Sequence, residues 1–268
     1  MPLVSSTRLV AGFIALLTCV SATHAQDYVD PIEFSYDYPR IGGEIGLVPT
    51  WQSGMYRTGC GEFVEGSRIN PIIGVAYDFP IIDQLLRVEA LAGYHSRGVA
   101  STYNSRETVI LQTAGGTARV DVDFENEGEL NTSYVFLMPS MKYYILDALY
   151  AGAGPLVSIG TGSSSQYRKT IISKVVQIPE LGASEISYPE EESSDPYTKI
   201  FEPEDRPDVK GFGLDLVAYV GAEFKLGDRM KIGPRMSFTL PVTTVIDDPE
   251  LKIFSFQLTI GLRYALFR

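Results

Sequence analysis

The sequence predicts an all-β protein, a transmembrane antiparallel up-and-down β-barrel of eight strands with long extracellular loops. The first observation is that apolar and polar side chains alternate through residues 253–268 almost without a break. The second is that seven earlier segments repeat this alternation. A strand of about 9 to 11 tilted residues crosses a bilayer with one face toward lipid and the other toward a lumen. Alternation of this length therefore favours a membrane barrel over a soluble β-sandwich.

The N-terminus has the pattern of a cleaved secretory signal peptide. A basic residue, Arg8, precedes an apolar stretch over residues 9–20, and Ala25 lies at a small-residue cleavage site. The apolar stretch is shorter than the about 20 residues that a membrane-spanning helix needs. The alternative is a lipoprotein signal in which Cys19 is acylated, and the threonine before Cys19 disfavours it.

Eight segments of the remaining chain share the strand alternation. They are residues 41–52, 68–79, 86–96, 133–144, 150–160, 212–226, 231–242 and 253–268. Their polar positions are repeatedly charged, which is typical of a barrel whose polar face lines a lumen. The inward face of the small, glycine-rich segment 150–160 stays unassigned. Eight is an even number, as a closed bacterial barrel requires.

The connections between these segments alternate between short and long. The short ones are residues 80–85, 145–149 and 227–230, and the long ones are residues 53–67, 97–132, 161–211 and 243–252. Membrane barrels of this kind have short periplasmic turns and longer outer loops. The pattern therefore predicts a periplasmic N-terminus and four outer connections.

The second long connection is expected to contain a hairpin. Two alternating runs, residues 108–112 and 117–124, flank Ala114-Gly115-Gly116, which is a turn signal. We interpret this hairpin as standing above the membrane. The alternative threads the hairpin through the bilayer and gives a barrel of ten strands.

The third long connection is acidic. Residues 168–178 are a candidate strand extension at its start, and the acidic, proline-containing tract that follows is expected to stay mobile. The charges of this connection are Glu185, Glu190, Glu191, Glu192, Asp195, Glu202, Glu204, Asp205 and Asp208, opposed by Lys199 and Arg206. Their spacing does not fit a calcium loop, so we expect a solvated charge run rather than a metal site.

Composition argues against several classes of function. The formal net charge of -11 disfavours a nucleic-acid partner, which would need a basic surface. Without the signal peptide the chain keeps one histidine, His95, and one cysteine, Cys60, so no disulfide can form within it. A Cys/His metal site or a Cys-His nucleophile would need these two residues to meet. We therefore expect no cofactor and no bound metal.

The pattern resembles the small outer-membrane β-barrel superfamily, which includes the outer membrane protein A-type and X-type barrels and the porin-like proteins with an outer membrane protein β-barrel domain. The resemblance covers residues 40–268. The features that carry it are the signal peptide, the eight strands, the aromatic final strand and the glycine-rich strand centres Gly152-Ala153-Gly154-Pro155 and Gly221-Ala222-Glu223.

The resemblance implies a cellular location more than a biochemical role. It implies an integral protein of the Gram-negative outer membrane, in contact with outer-membrane lipid and assembled by the barrel-assembly machinery. We expect a signal peptide over residues 1–25, cleaved near Ala25, a short periplasmic segment over residues 26–39 and the barrel over residues 40–268. Arg268 departs from the terminal phenylalanine that is usual in the family, and no peptidoglycan-binding domain is expected after the barrel.

Ten charged side chains are predicted to face the lumen. They are Glu44, Asp78, Arg87, Glu89, Lys142, Asp215, Glu223, Lys231, Arg235 and Arg263. An eight-stranded barrel is only about wide enough for side chains to fill it. Because buried charges persist only when they are compensated, we favour a paired polar core. The alternative is a gated conduit in which ion pairs exchange partners.

His95 and Cys60 are the remaining candidates for chemistry. His95, near the outer end of its strand, would be able to transfer a proton beside a carboxylate or a serine, but nothing nearby completes a nucleophilic set. Cys60, in the first outer loop, would be open to modification or to pairing between chains. The simpler interpretations are a polar residue at the barrel rim and a small residue in a turn.

Aromatic side chains near the strand ends are interpreted as interfacial girdles rather than as a ligand site. They are Trp51, Tyr77, Phe79, Tyr94, Tyr143, Tyr150, Phe254 and Tyr264.

These observations predict a non-enzymatic outer-membrane protein with a structural or surface-interaction role. Its long loops would contact an extracellular ligand or protein. The alternative is a narrow pore or conduit for ions or small molecules. A third hypothesis, an enzyme that acts on lipid or peptide, would depend on His95.

Overall fold

The computed structural model describes residues 38–58, 61–82, 85–113, 116–178, 182–189, 195–206 and 208–266. No helix in these ranges is long and apolar enough to span a membrane. The expectations that concern the signal peptide, residues 26–37, Cys60, Ala114-Gly115, residues 190–192 and residues 267–268 lie outside the described ranges.

The described residues form sixteen β-strands. They are β1 (Arg40–Gly54), β2 (Tyr56–Thr58), β3 (Gly61–Phe63), β4 (Ser67–Ile82), β5 (Leu86–Ser96), β6 (Val99–Thr113), β7 (Gly116–Tyr144), β8 (Leu149–Ile171), β9 (Val175–Ile178), β10 (Gly182–Glu185), β11 (Thr198–Ile200), β12 (Glu204–Asp205), β13 (Phe212–Ala222), β14 (Phe224–Leu226), β15 (Met230–Pro241) and β16 (Leu251–Ala265).

Eight of these strands close into a ring. Strand β1 pairs with β4, and the ring continues through β5, β7, β8, β13, β15 and β16 back to β1, with every neighbouring pair antiparallel. A closed ring leaves no unpaired edge within itself. The predicted eight-stranded antiparallel barrel is confirmed, and the ten-stranded alternative is wrong.

The two ends of the ring differ. At one end, the turn end, β4 and β5, β7 and β8, and β14 and β15 are joined by connections of a few residues. At the other, the loop end, the strands continue past the ring or are joined by longer segments. The predicted hairpin lies at the loop end.

That hairpin is longer than the sequence predicted. Strands β5 and β6 pair with β7 in a single register, since Ser96 lies opposite Ser133 and Val99 opposite Leu130. The connection predicted over residues 97–132 is therefore mostly a continuation of the barrel wall. The even positions of β7 remain buried up to Val120, which provides the apolar face that the extension needs.

The third connection is also more ordered than predicted. Strand β8 runs to Ile171, and residues 175–178 form β9, which pairs with β10 instead of extending β8. Part of the acidic tract that was expected to stay mobile is paired, because β11 and β12 both add to the edge of β8. The strand predicted over residues 212–226 is interrupted at Glu223, whose N–H donates to the carbonyl of Ala148 at 2.7 Å.

Burial along the ring strands follows the predicted alternation. On β16, Ile260 and Leu262 are 59% and 44% exposed, whereas the flanking inward residues Thr259 and Arg263 are buried. The outward apolar positions from Phe254 to Tyr264 span about 34 Å of strand, or about 26 Å after a tilt of about 40°. This height matches the apolar band of about 25 Å on transmembrane barrels.

The outward face of β7 changes character sharply along its length. From Tyr143 to Val135 its exposed side chains are apolar. Beyond Ser133 the same face carries Asn131, Glu129, Glu127, Glu125, Asp123 and Asp121. Carboxylates do not face lipid at low cost, so the apolar band ends at Ser133.

Candidate functional site

The lumen is filled by four layers of side chains, which follow one another along β5 and the start of β6. Arg87 and Glu89 lie toward the turn end, followed by Leu91, then His95, and finally Val99 at the loop end. All five side chains are buried. We refer to these levels as the charged, apolar, polar and mouth layers.

The charged layer brings together nine of the ten predicted lumen charges. Its members are Arg40, Glu44, Asp78, Arg87, Glu89, Lys142, Glu223, Lys231, Arg235 and Arg263. The side chain of Lys231 is 21% exposed, and the other nine residues are buried. So many charges removed from water require oppositely charged partners at short distance, and the layer provides these partners in three groups.

Glu89 lies at the centre of the first group. Its carboxylate is 2.6 Å from Arg235 and 3.1 Å from Arg263. Glu44 contacts the same two guanidinium groups, at 3.2 Å from Nη1 of Arg235 and through a short ion pair with Arg263. The four side chains come from β5, β1, β15 and β16, so the group connects four strands across the lumen.

Glu223, between β13 and β14, is the acceptor of the second group. It forms a short ion pair with Lys142 on β7 and lies 3.2 Å from Arg40 and 3.7 Å from Lys231. The hydroxyl of Tyr144 donates to the same carboxylate at 2.7 Å. The interruption of the strand at Glu223 thus coincides with a carboxylate shared by several donors.

Asp78 and Arg87 form the third group. Oδ1 of Asp78 accepts from Nη2 of Arg87 at 2.6 Å, and Nη2 also donates to the carbonyl of Tyr38 at 2.7 Å. Lys142 lies 3.8 Å from Asp78 and 4.0 Å from Glu89, so it links this group to the other two. The charged layer is therefore one connected network.

Asp215 is the predicted lumen charge that lies elsewhere. It belongs to the polar layer, where it forms a short, buried ion pair with Arg97. Arg97 and Arg40 were absent from the predicted set because both were placed outside the strands. Arg97 lies two residues after His95 and Arg40 four residues before Glu44, so extending the alternation would have identified both.

The apolar layer adjoins the charged layer. Its members are Val48, Ile72, Ala76, Leu91, Phe136, Met138, Tyr144, Tyr150, Leu156, Val217 and Tyr219. The hydroxyls of Tyr144 and Tyr150 reach into the charged layer, where they form hydrogen bonds with Glu223 and Arg235. The ring of Tyr150 packs on Gly221, where a Cβ atom would lie 2.4 Å from that ring. A side chain at position 221 would therefore displace the ring from the layer.

The placement of Tyr150 corrects one sequence prediction. It was assigned to the interfacial girdle, but it points into the lumen, where its hydroxyl accepts a hydrogen bond from Nε of Arg235 at 3.3 Å. The segment 150–160 is small and rich in glycine, so its alternation was too weak to reveal which face is buried. Most of the predicted girdle residues are exposed on the outside. They are Trp51, Tyr77, Phe79, Tyr94, Tyr143 and Tyr264.

The polar layer contains uncharged side chains together with the Arg97–Asp215 pair. The members are Thr50, Asn70, His95, Arg97, Ser158, Asp215, Thr239, Ser255 and Gln257. His95 is fully buried, with its ring 4.9 Å from the ring of Phe136 and 6.0 Å from that of Tyr134. Neither ring nitrogen has a hydrogen-bond partner among the described atoms. The predicted position of His95 at the rim is therefore wrong.

The mouth layer closes the loop end of the lumen. Its members are Tyr56, Phe63, Val99, Leu130, Tyr167, Val245, Ile246, Leu251 and Ile253. Tyr56 and Phe63, from the β2–β3 hairpin, are stacked with their ring centroids 5.1 Å apart. The ring of Phe63 covers Gly128, where a Cβ atom would lie 2.6 Å away.

The hydroxyl of Tyr56 anchors this hairpin to the barrel wall. It donates to the carbonyl of Gly128 at 2.8 Å. Burial raises the pKa of the Tyr56 phenol to about 12, which extends the pH range over which the hydroxyl stays protonated and remains a donor.

The lumen leaves little free volume near the charged layer. A cavity there measures 10 Å³, about enough for a single water molecule. It is lined by Glu44, Tyr150, Glu223, Gly233, Gly261 and Arg263. In the part of the chain that the structure describes, no group of three or more His, Cys, Asp and Glu side chains is arranged to hold a metal ion.

Beyond the apolar band, the strands form a second region, which we call the head. It comprises β6, β9, β10, β11, β12, residues 116–132 of β7 and residues 161–171 of β8. Its core contains Val120, Val122, Phe124, Ile171, Val176, Ile178 and Ile186. In the acidic third connection, Arg206 donates to Asp208 at 2.5 Å and Tyr197 donates to Glu185, so these acids have specific partners.

No protein-family model matches the sequence, and no curated protein does. Among solved structures, Ail, the attachment invasion locus protein of Yersinia pestis, is 12% identical, and the match covers 85% of this chain and 100% of Ail with a TM-score of 0.32. Neisserial surface protein A is 11% identical over 85% of this chain and 97% of its own, with a TM-score of 0.32.

A third similar structure is the outer membrane protein OprG of Pseudomonas aeruginosa, which is 10% identical over 86% of this chain and 97% of its own, with a TM-score of 0.34. At such identities the similarity concerns the fold alone. With TM-scores below 0.5, these matches carry no argument about this chain, so the resemblance to the small outer-membrane β-barrel superfamily stays a prediction and any functional argument depends on the geometry of this chain.

Proposed function

We propose that this chain is a non-enzymatic, integral outer-membrane β-barrel with a closed lumen, which presents the head at the cell surface for interaction with an external ligand or protein. The observation that carries the proposal is the outward face of β7, which is apolar up to Val135 and acidic beyond Ser133 while the strand continues. Such a strand is suited to a bilayer over its first part and to water over the rest.

The short connections at the turn end support an orientation with that end in the periplasm. In the proposed mature protein, the signal peptide over residues 1–25 has been removed and a periplasmic segment over residues 26–39 leads into the barrel. Outer-membrane lipid surrounds the apolar band, and the barrel-assembly machinery inserts the chain. The head then lies outside the cell.

The filled lumen supports a structural role over conduction. The apolar layer gathers buried side chains from six of the eight ring strands, β15 and β16 contribute uncharged polar side chains such as Ser237 and Gln257, and the mouth layer closes the loop end. An ion that crossed the apolar layer would lose its hydration without gaining a charged partner, which is costly. The burial of His95 between two aromatic rings likewise gives a substrate no access to its nitrogens.

Single-channel recording of the refolded protein in a planar bilayer tests the closed lumen. We expect no stable openings, because both the apolar and the mouth layers would have to separate. The Phe63→Ala variant, which removes one mouth ring and leaves the apolar layer intact, should also remain closed. Stable openings of the wild-type protein that disappear when Arg87 or Glu89 is neutralised would instead support the pore hypothesis.

A further inference from the structure

Among the described residues, strand β6 differs from the ring strands in having a strand partner on only one of its edges over most of its length. One edge pairs with β7 from Val99 to Thr113. On the other edge the described residues provide one pairing, between Ala100 and Ser67 at the end of β4. Strand β4 begins at Ser67, beside Ala100, and therefore does not extend along the rest of β6, which continues into the head.

The register identifies which backbone groups lie along this second edge. Arg97 donates its N–H to the carbonyl of Thr132, so odd positions of this strand form the hydrogen-bonded pairs with β7. In an antiparallel pair, hydrogen-bonded positions alternate with positions whose N–H and C=O groups point away from the partner strand. The even residues of β6 therefore direct both groups to the edge opposite β7. Ala100, which meets Ser67, fits this parity.

The even residues above Ala100 therefore present an edge without a described strand partner. They are Thr102, Asn104, Arg106, Thr108 and Ile110. Each contributes one donor and one acceptor, in the spacing that an added strand needs. The side chains of all five are exposed.

This edge has few of the features that usually prevent strand addition. Residues 101–111 contain no proline and no lysine, and the β6–β7 register has no bulge. The charged side chain among its even residues, Arg106, is paired with Asp123 on β7. Among the described residues before Ser67, Phe63 packs over the mouth against the inward ring of Tyr103, with centroids 5.2 Å apart. No described strand pairs with this edge of β6 beyond Ala100.

The charge of the adjoining surface indicates the chemistry of an incoming strand. The outward face of β7, next to β6, carries Asp121, Asp123, Glu125, Glu127 and Glu129. Two of the cations beside this face are paired within the head, since Arg106 pairs with Asp123 at 2.7 Å and Arg168 with Glu127 at 3.0 Å. Arg119, opposite Ile110, is a further exposed cation on the same face, which leaves the face acidic overall. The whole chain has a net charge of -11, which opposes self-pairing and favours a cationic partner.

We infer that the free edge of β6, from Thr102 to Ile110, is a docking site for an extended cationic peptide segment of another protein, which adds to the head as a further strand. Backbone hydrogen bonds supply the pairing, and the acidic face of β7 selects basic side chains on the strand that arrives. The inference rests on the proposed surface position of the head. It deepens that proposal by naming the class of partner.

Binding to the purified protein in detergent micelles tests the edge independently of orientation in the cell. The probe is a fluorescent ten-residue peptide that alternates threonine with lysine, compared with its glutamate counterpart and with a copy N-methylated at alternate residues. We expect binding of the lysine peptide that weakens with added salt, no binding of the glutamate peptide, and loss of binding on N-methylation, which removes the pairing donors.

Matched variants of β6 separate backbone pairing from side-chain contact. Asn104→Pro and Thr108→Pro remove an N–H from the free edge while leaving the β7 edge intact, and Asn104→Ala and Thr108→Ala keep every backbone group. Each proline variant should bind the peptide at least about tenfold more weakly than its alanine counterpart, because at least one backbone hydrogen bond is lost. Heat-dependent gel mobility verifies that each variant remains a closed barrel.

Two results would overturn the inference. Equal affinity of the proline and alanine variants would mean that the peptide binds by charge alone at another place. Self-association of the wild-type protein that Asn104→Pro abolishes would assign the edge to a second copy of this chain. Neither result depends on which side of the membrane the head occupies, so failure here is distinguishable from failure of the proposed surface role.

Discussion

Replacing Glu89 with glutamine should lower the free energy of unfolding by about 3–5 kcal/mol, the cost of breaking a fully buried ion-pair network from one side. Glu89 is fully buried and is shared by Arg235 and Arg263, with Lys142 4.0 Å away. Without it, six cationic side chains of the charged layer face three carboxylates in a largely buried part of the lumen. The amide keeps the shape of the side chain, so the effect reports on charge.

Urea unfolding in lipid vesicles, followed by the fluorescence of the single tryptophan, Trp51, measures this cost. The matched control is Glu129→Gln in the head, where the carboxylate is 3.2 Å from Arg68 and both side chains are substantially exposed. That exposed pair should contribute only about 0–1 kcal/mol. Similar losses for Glu89→Gln and Glu129→Gln would contradict a buried, mutually dependent network.

Placing arginine at Leu258 should destabilise the inserted barrel by about 2–4 kcal/mol, because the side chain would face lipid near the middle of the apolar band. Leu258 lies opposite Leu47 on β1 and Met236 on β15, and the position is close to the midpoint between Phe254 and Tyr264. An isolated charge at this depth has no partner and no water.

The control for depth is Ser53→Arg, at an exposed position just beyond Trp51 at the edge of the band. A charge near the interface should cost only about 0–1 kcal/mol. The same vesicle-based unfolding measurement applies to both variants. An equal effect at the two positions would mean that the strands are placed incorrectly in the bilayer.

The side chains that face the lumen were largely predictable, because side chains alternate along a strand and only two assignments of the inward face are possible. A single charged residue such as Glu44 or Arg235 beside apolar neighbours decides this phase of the alternation for its whole strand. Where the residues are small and uncharged, as around Tyr150, the sequence contains no such marker. The phase of that strand depends instead on the packing of the Tyr150 ring over Gly221 and on its bond with Arg235.

The partners of the lumen charges and the length of the head strands were not predictable. Which cation meets Glu223 depends on the stagger of the ring, since Lys142 and Arg40 are distant in the chain. The extension of β7 past Ser133 was hidden because its outward side becomes acidic, which resembles a loop in sequence. Its buried side remains regular, from Leu130 to Val120, and extending that parity would have revealed the strand.

The most direct test of the proposed surface role is the accessibility of single cysteines in intact cells. In a Cys60→Ser background, Asn104→Cys places a thiol at an exposed position in the head and Asp228→Cys places one at the turn end. A membrane-impermeant maleimide should label Asn104→Cys in intact cells and should label Asp228→Cys only after the outer membrane has been permeabilised. Labelling of Asp228→Cys, but not Asn104→Cys, in intact cells would place the head in the periplasm and contradict the proposed role.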